Sequence, residues 1–210
     1  MIRNAGGPDP AIARERYRDH AAGYDASCGR TEPLRRDTVA ALNLEPGDAV
    51  LDAASGTGMS FGLLQERRIG RLLGIELSPE MMALAHDKVD AAGWDNVTLI
   101  ESTVENATIP YELDAVLCFY THDVMRSEAA LDAIFARAKP GARVAVAGMK
   151  LFPWWLGALN LYALAKAQPY MTTFEGLRAP WSLLQKRVPD LSIRSTQFGM
   201  GYIAHGTFAG

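Results

Sequence analysis

The stretch Val50-Leu51-Asp52-Ala53-Ala54-Ser55-Gly56-Thr57-Gly58 decides the fold of this chain. Its apolar start predicts a buried strand, and its small residues predict a tight turn whose backbone amides can approach a ligand. Glu76 ends the next apolar segment, at residues 72–76. In a right-handed βαβ unit both strand ends open at one edge of the sheet, where a carboxylate can accept two hydrogen bonds from a ribose diol. The pair predicts a nucleoside site, although two glycines alone also fit a plain strand-to-helix turn.

The rest of the chain alternates apolar and amphipathic segments, as is typical of a parallel sheet built from βαβ units. Strands are predicted at residues 49–53, 72–76, 97–101, 115–119 and 143–148, and helices at 60–66, 79–92 and 128–138. Pro140-Gly141 predicts the turn between the last of these helices and the last of these strands. Further helices are predicted at 12–24, 34–42 and 152–167, and a closing antiparallel strand pair at 191–198 and 202–208.

Composition limits the classes of function. The 210 residues carry a net charge of -3 without a block of like charge, which argues against a nucleic-acid partner because phosphate binding needs a basic face. The length suits one domain. Cys28 and Cys118 lack metal-ligand spacing, and no signal-peptide pattern occurs, so we expect a cytoplasmic protein without a metal, as a monomer or homodimer. The longest uncharged run, residues 151–165, is too short to insert stably in a bilayer, although it could contact one.

The glycine-rich turn also distinguishes between classes of nucleotide site. Phe61 occupies the third glycine position of a dinucleotide fingerprint, and no Gly-Lys-Ser/Thr follows as a phosphate-binding loop requires. Residues 50–58 instead resemble the first motif of the class I S-adenosylmethionine-dependent methyltransferases, Val-Leu-Asp-x-Gly-x-Gly-x-Gly, with Ala54 at the first glycine. The resemblance extends from about Tyr17 to Phe208. It implies a Rossmann-like α/β fold with a mostly parallel seven-stranded sheet, an antiparallel C-terminal strand pair, helices on both faces and S-adenosyl-L-methionine as the cofactor.

The resemblance assigns roles to single residues. In that family the small-residue turn faces the methionine part of the cofactor, the acid matching Glu76 holds the ribose hydroxyls, and the residue matching Leu77 packs on adenine. Asp52 would meet the amino group or positive charge of the cofactor, or else cap the strand end. Relatives often have Gly-Asp-Ala after strand three, so Thr103 would replace that Asp on adenine and the Val104 amide would meet the ring. The implied cofactor-binding residues are Tyr17, Tyr24, Asp52, Ala53, Ala54, Ser55, Gly56, Glu76, Leu77, Met81, Thr103, Val104 and Phe119.

The leader Tyr17-Arg18-Asp19-His20-Ala21-Ala22-Gly23-Tyr24-Asp25 resembles the Tyr-x-x-x-Ala-x-x-Tyr-Asp opening of the ubiquinone and menaquinone biosynthesis methyltransferases. That resemblance implies a lid over the cofactor. An ordinary amphipathic helix with two packed tyrosines is the alternative. We therefore expect a single methyltransferase domain over residues 1–210, with an N-terminal helical lid at 1–48 and a substrate-covering insert at 149–189.

The loop after the fourth strand is expected to present the catalytic groups, His122 and Tyr120, at the carboxyl edge of the sheet. His122 is the candidate general base because a histidine can take a proton near neutral pH. Asp123 or Tyr120 would orient it or contact the acceptor. The alternative role for His122 is to cap the following helix.

The aromatic segment after the fifth strand is predicted to cover the methyl acceptor. Paired Trp154 and Trp155 suit a flat or greasy substrate, although core packing or a dimer contact would also explain them. The predicted substrate residues are Tyr24, His122, Trp154, Trp155 and Tyr170. The chain is thus predicted to methylate oxygen, nitrogen or carbon of a small, largely apolar or aromatic acceptor. The alternatives are a membrane-surface methyltransferase of a quinone precursor or phospholipid head group, and a catalytically silent cofactor-binding subunit.

Overall fold

A computed structural model describes residues 7–210, so the first six residues of the predicted lid lie outside the described part of the chain. The strands are β1 (Ala49–Ala53), β2 (Arg71–Glu76), β3 (Val97–Glu101), β4 (Leu113–Phe119), β5 (Ala138–Met149), β6 (Ser192–Thr196) and β7 (Gly201–Thr207). They form one sheet in the order β3-β2-β1-β4-β5-β7-β6. Neighbours from β3 to β5 pair in parallel, whereas β7 is antiparallel to both β5 and β6. The predicted mostly parallel seven-stranded sheet is confirmed.

Helices surround this sheet. They are α1 (Pro10–His20), α2 (Tyr24–Cys28), α3 (Glu32–Ala41), α4 (Phe61–Gln65), α5 (Pro79–Ala92), α6 (His122–Met125), α7 (Glu128–Phe135) and α8 (Gly157–Ala167). The single helix predicted at 12–24 is wrong at residues 21–23, because α1 ends at His20 and a 3-10 turn, Ala21–Gly23, separates it from α2. Gly23 at the junction is a poor helix former, which accounts for the break.

Strand β5 begins five residues earlier than the predicted 143–148. Leu113 of β4 pairs with Ala138, and Ala115 pairs with Arg143, so Asp114 alone faces residues 139–142. The Pro140-Gly141 pair therefore forms a bulge inside the strand and not the predicted turn before it. Proline lacks a ladder N–H and Gly141 has a φ of +86°, so both residues suit an interruption of the pairing.

Both faces of the sheet are buried, as alternate residues of the central strands show. Leu51 belongs to the apolar cluster on the α7 side, whereas its neighbour Val50 belongs to the cluster on the side of α3, α4 and α5. Each is fully buried. Because the faces are occupied by packing, the carboxyl edge of the parallel strands is left for polar groups and a ligand.

Candidate active site

The turn after β1 has the backbone geometry that its small residues predict. Gly56 and Gly58 lie in the left-handed region, with φ values of +58° and +75°. A Cβ on Gly58 would lie 2.6 Å from the Phe61 ring, so packing alone demands glycine there. A Cβ on Gly56 would meet nothing closer than the Tyr24 ring, at 3.9 Å, because Gly56 borders open space. The turn therefore presents bare backbone to a cavity.

Ala54 stands where the first motif has its first glycine, and it adopts the same left-handed conformation, with a φ of +55°. An alanine in this region is strained by about 1 to 2 kcal/mol. The turn therefore accommodates the methyl group of Ala54 in a left-handed conformation.

Replacing Ala54 with glycine is expected to stabilise the protein by about 0.5 to 1 kcal/mol, since the relieved strain exceeds the entropy that glycine loses on folding. Urea unfolding measures the difference. The control is Ala53→Gly, because Ala53 is fully buried in β1 and its φ is not positive. That variant should lose stability, and a loss in both variants would show that Ala54 is not strained.

Glu76 links the end of β2 to this turn. One carboxylate oxygen accepts the Gly56 N–H at 2.9 Å, and the other accepts the Ser78 N–H at 2.8 Å. Burial raises the pKa of Glu76, and the N–H groups of Ser78, Gly56 and Leu77 oppose that rise. A carboxylate has about four acceptor sites, so at least one remains to accept a hydrogen bond from a diol.

A pocket of about 840 Å³, including solvent at its mouth, opens at the carboxyl edge of the sheet. Its lining includes the acids Asp9, Glu76, Glu105 and Asp123, and none of the described residues that line it is Lys or Arg. The other lining residues are Pro8, Pro10, Ala13, Tyr17, Tyr24, Ala54, Gly56, Ile75, Leu77, Ser102, Thr103, Val104, Phe119, Tyr120, Thr121, His122, Val124, Ser127 and Tyr170. An acidic, partly apolar cavity of this kind favours a cationic ligand over an anionic one.

Asp52 lies beneath the turn and does not line the pocket. It is buried, and one carboxylate oxygen has no hydrogen-bond partner among residues 7–210. Burial raises its pKa to about 7, against the opposing effects of the Arg35 charge and a hydrogen bond from Ser60. The Arg35 guanidinium donates to the Ser60 hydroxyl at 2.9 Å and lies 4.1 Å from the centre of the Phe119 ring. Arg35 thus joins the buried acid to an aromatic side chain of the pocket wall.

Three tyrosines from separate segments form one side of the pocket. The Tyr17 and Tyr24 rings meet edge to face with their centres 6.2 Å apart, and Tyr24 and Tyr170 do so at 6.4 Å. The Tyr17 hydroxyl also donates to the Tyr170 carbonyl at 3.1 Å. Burial raises the pKa of Tyr17, so it stays a neutral donor at physiological pH. The leader therefore packs against residue 170 at the pocket, and its role as a lid stays a prediction.

Thr172 ties the start of the leader to the loop after β4. The backbone N–H of Asp9 donates to the Thr172 hydroxyl at 2.9 Å, and that hydroxyl donates to the Asp123 carboxylate at 2.6 Å. The Thr172 N–H donates to the same carboxylate. Asp123 is thereby held by Thr172. The prediction that Asp123 orients His122 is therefore wrong.

His122 is buried at the first position of α6, where it lines the pocket. Its Nε2 lies 3.1 Å from the Glu175 carbonyl oxygen, and because a carbonyl only accepts, Nε2 carries the proton. Nδ1 is then a bare lone pair, buried and without a partner in the described part of the chain. Burial lowers the pKa of His122 to about 4, so the ring is neutral at physiological pH.

The structure places the remaining predicted residues in two groups. Tyr120, Phe119, Leu77, Thr103 and Val104 line the pocket, and the Thr103 hydroxyl is buried without a hydrogen-bond partner among the residues described. Three predicted cofactor residues are instead buried away from the cavity surface: Ala53, Ser55 and Met81.

Trp154 and Trp155 do not enter the pocket. Their side chains are 71% and 66% exposed, so the predicted cover over the acceptor does not match their placement. The segment precedes α8, whose core-facing positions are taken by Ala163 and Ala167. The paired tryptophans are therefore left on the surface.

Sequence reasoning missed Arg35 and Asp9. Arg35 shares a helical stripe with Val39 and Leu42, and a charge inside an apolar stripe is the signal that could have pointed to it. Asp9 offered a weaker signal, as the cap that accepts the N–H groups of Ala11 and Ile12 before α1.

Comparison with known proteins agrees with this geometry. Residues 50–141 match the family described as methyltransferase domain. A demethylmenaquinone methyltransferase of Symbiobacterium thermophilum is 30% identical over 141 residues, which are 62% of this chain and 56% of that protein. The chain spans about half the length of the curated relatives it matches.

Solved structures agree in fold. A chain from the complex of the Haloferax volcanii Trm112 methyltransferase activator with a presumed methyltransferase superposes with a TM-score of 0.70 at 15% identity, covering 100% of both chains. The N-methyltransferase NodS of Bradyrhizobium japonicum gives a TM-score of 0.61 at 11% identity, covering 86% of this chain and 98% of that one. At such identities the likeness shows the fold alone. The sequence matches relate the chain to the class I S-adenosylmethionine-dependent methyltransferases and, among them, to the quinone biosynthesis group, which confirms the resemblance.

Proposed function

We propose that this chain is an S-adenosylmethionine-dependent methyltransferase of a small, largely apolar or aromatic acceptor. The observation that carries the proposal is the placement of buried Glu76 beside the bare backbone of Gly56, at the edge of an acidic pocket. A ribose diol matches the carboxylate, and the cationic part of the cofactor matches a lining that holds four acids and, among the residues described, no Lys or Arg.

Different residues of the pocket would bind different parts of the cofactor. Glu76 would hold the ribose, Leu77 and Val104 would pack on adenine, and the Thr103 hydroxyl would accept the hydrogen bond of its amino group. Asp52, whose pKa is raised to about 7, would contribute partial negative charge from beneath the turn. When bound, the cofactor supplies an electrophilic methyl group on a sulfonium. Tyr17, together with the rest of the leader, would exclude water from it, which favours transfer to the acceptor.

The acceptor side of the pocket supports an uncharged or cationic substrate. The loop of Tyr120, His122 and Asp123 lines the cavity, and it offers a carboxylate and a neutral imidazole but no cation. The similarity to demethylmenaquinone methyltransferases favours an aromatic ring such as a quinol. A panel of quinols, phenols, aryl amines and matched carboxylic acids, assayed with methyl-labelled cofactor, tests this: turnover confined to the acids would refute it.

His122 is the candidate base, because Nδ1 is unprotonated and has no hydrogen-bond partner among the residues described. Replacing His122 with glutamine is expected to slow methyl transfer about tenfold and to leave cofactor affinity within about twofold, since a base with a pKa near 4 contributes less than one tuned to neutrality. Because the ring is already neutral, the wild-type rate should show no titration of this group between about pH 6 and 8.

The matched control for that variant is His86→Gln, on the exposed face of α5. It should change neither rate nor affinity. An unchanged rate in the His122 variant would assign that side chain to helix packing only, and a loss of cofactor binding would assign it to the fold.

A catalytically silent subunit is the second candidate, and the departures at Ala54 and Thr103 motivate it. The left-handed φ of Ala54 is compatible with both candidates, because either one needs a turn that can bind the cofactor. Cofactor binding without turnover on the whole acceptor panel would favour it.

A further inference from the structure

Helix α8 buries its small side chains and exposes its large apolar ones. It buries Ala163 and Ala167 against a cluster that contains Met149, Met171 and Leu177. Its bulky apolar side chains lie on the solvent side, with Leu161 71% and Tyr162 56% exposed. Burying alanines and exposing leucine and tyrosine is the reverse of an ordinary surface helix, so a large apolar area is left in contact with water.

The exposed area extends beyond the helix. Asn160 of α8 accepts the Phe152 N–H at 2.8 Å and donates to its carbonyl, which fixes the preceding tryptophan loop against the helix. Gly199 lies against the Phe152 ring, so fully exposed Phe198 is at the edge of the same surface. We call this surface the apolar face; its residues are Trp154, Trp155, Leu156, Leu159, Leu161, Tyr162 and Phe198.

Within the segment that carries most of the apolar face, the charges have one sign. Residues 149–174 contain Lys150 and Lys166 and no Asp or Glu. Neither lysine forms an ion pair with another of the residues described, and the Lys166 ammonium lies 5.8 Å from the centre of the Tyr162 ring. Exposed tryptophan and tyrosine beside leucine, flanked by lysines, is the composition that favours the interface of an anionic bilayer.

We propose that the apolar face docks this protein on the surface of a bilayer containing anionic lipid. None of the helices in residues 7–210 is long and apolar enough to cross a membrane, so the proposed contact is one of adsorption. The tryptophans would insert among the lipid head groups, and the two lysines would approach the lipid phosphates.

The apolar face adjoins the pocket at two points. Tyr170 lines the pocket three residues after the end of α8. The Tyr120 hydroxyl, on the pocket wall, donates to the side chain of Gln197, the neighbour of Phe198. A docked protein would hold the pocket wall close to the bilayer. Docking itself does not depend on the proposed methyl transfer.

The test is co-sedimentation of the full chain with vesicles, without cofactor. Wild type should bind vesicles of phosphatidylglycerol and phosphatidylcholine, with a blue shift of tryptophan emission. The double variant Trp154→Ser/Trp155→Ser should bind at least about tenfold more weakly. Replacing Lys150 and Lys166 with glutamine should weaken binding to anionic vesicles by roughly fivefold for each lysine. The same replacements should not change binding to vesicles without anionic lipid.

Two controls match these variants. Ile193→Ser removes an exposed apolar side chain from β6, and Arg67→Gln removes an exposed charge after α4. Both should bind vesicles like wild type. The proposal is overturned if wild type does not sediment with anionic vesicles, if the tryptophan variant binds equally well, or if the chain forms dimers that bury the tryptophans in place of vesicle binding.

Discussion

Replacing Glu76 with glutamine is expected to weaken S-adenosylmethionine binding about 100-fold. The change removes the charge that strengthens the hydrogen bonds to the ribose hydroxyls, each of which is worth about 1.5 to 3 kcal/mol to a charged acceptor. In the wild type, the backbone N–H groups of Gly56 and Ser78 each donate to one oxygen of Glu76. The glutamine amide has only one oxygen, so its NH₂ group would face one of these N–H donors. A hundredfold loss corresponds to about 2.7 kcal/mol of binding free energy. Titration calorimetry measures it.

Glu101→Gln is the matched control, because Glu101 is the register partner of Glu76 at the end of the neighbouring strand β3. Its side chain is exposed, pairs with Arg14 and does not line the pocket. This variant should bind the cofactor like wild type. Equal affinity of the Glu76 variant and wild type would remove the proposed ribose contact, and thermal unfolding of both variants would show whether the turn has collapsed.

The geometry of the edge formed by β1 and β2 was predictable because local sequence determines it. An apolar strand, a run of small residues and an acid at the end of the next strand place Gly56 and Glu76 together once the crossover is right-handed. The extent of β5 was not predictable in the same way. Pro140-Gly141 has the local signature of a turn, and only pairing with Leu113 and Ala115 turns it into a bulge.

Replacing Asp52 with asparagine is expected to change how stability depends on pH. The folded-state pKa of Asp52 is raised from 3.8 to about 7, so between those values the native state binds more protons than the unfolded state. Wild-type stability from this group therefore falls as pH rises from about 4 to 7. At about 1.4 kcal/mol per pKa unit, the total is on the order of 4 kcal/mol. Asparagine does not titrate, so the variant should gain stability relative to wild type across this window.

The measurement is the free energy of unfolding in urea from pH 4 to 8, read as the difference between variant and wild type. Asp114→Asn is the control, because hydrogen bonds and charge from Lys139 help to hold the pKa of Asp114 below its usual value of 3.8, despite partial burial. The contribution of Asp114 to stability is lost only as pH falls below about 4, so the difference between this variant and wild type should stay constant from pH 4 to 8. A difference for Asp52→Asn that stays constant with pH would show that its carboxyl is not displaced towards neutral pH.

The parts of the site that sequence reasoning misplaced depend on contacts between distant segments. Arg35 reaches Ser60 and the Phe119 ring from a helix that precedes the sheet, and no local pattern specifies that approach. For Trp154 and Trp155, the sequence records an aromatic pair but not which side of the segment faces the core. That side is set by Ala163 and Ala167, whose small size lets α8 pack closely and leaves larger side chains outside.

The central claim is that the pocket beside Glu76 and Gly56 binds S-adenosylmethionine, and calorimetric titration of the purified chain tests it most directly. The experiment needs neither acceptor nor lipid, so its outcome is independent of both. The account predicts one site per chain with a Kd of roughly 1 to 100 μM for S-adenosylmethionine and for its demethylated product S-adenosylhomocysteine. No binding of either compound at about 1 mM would contradict the account.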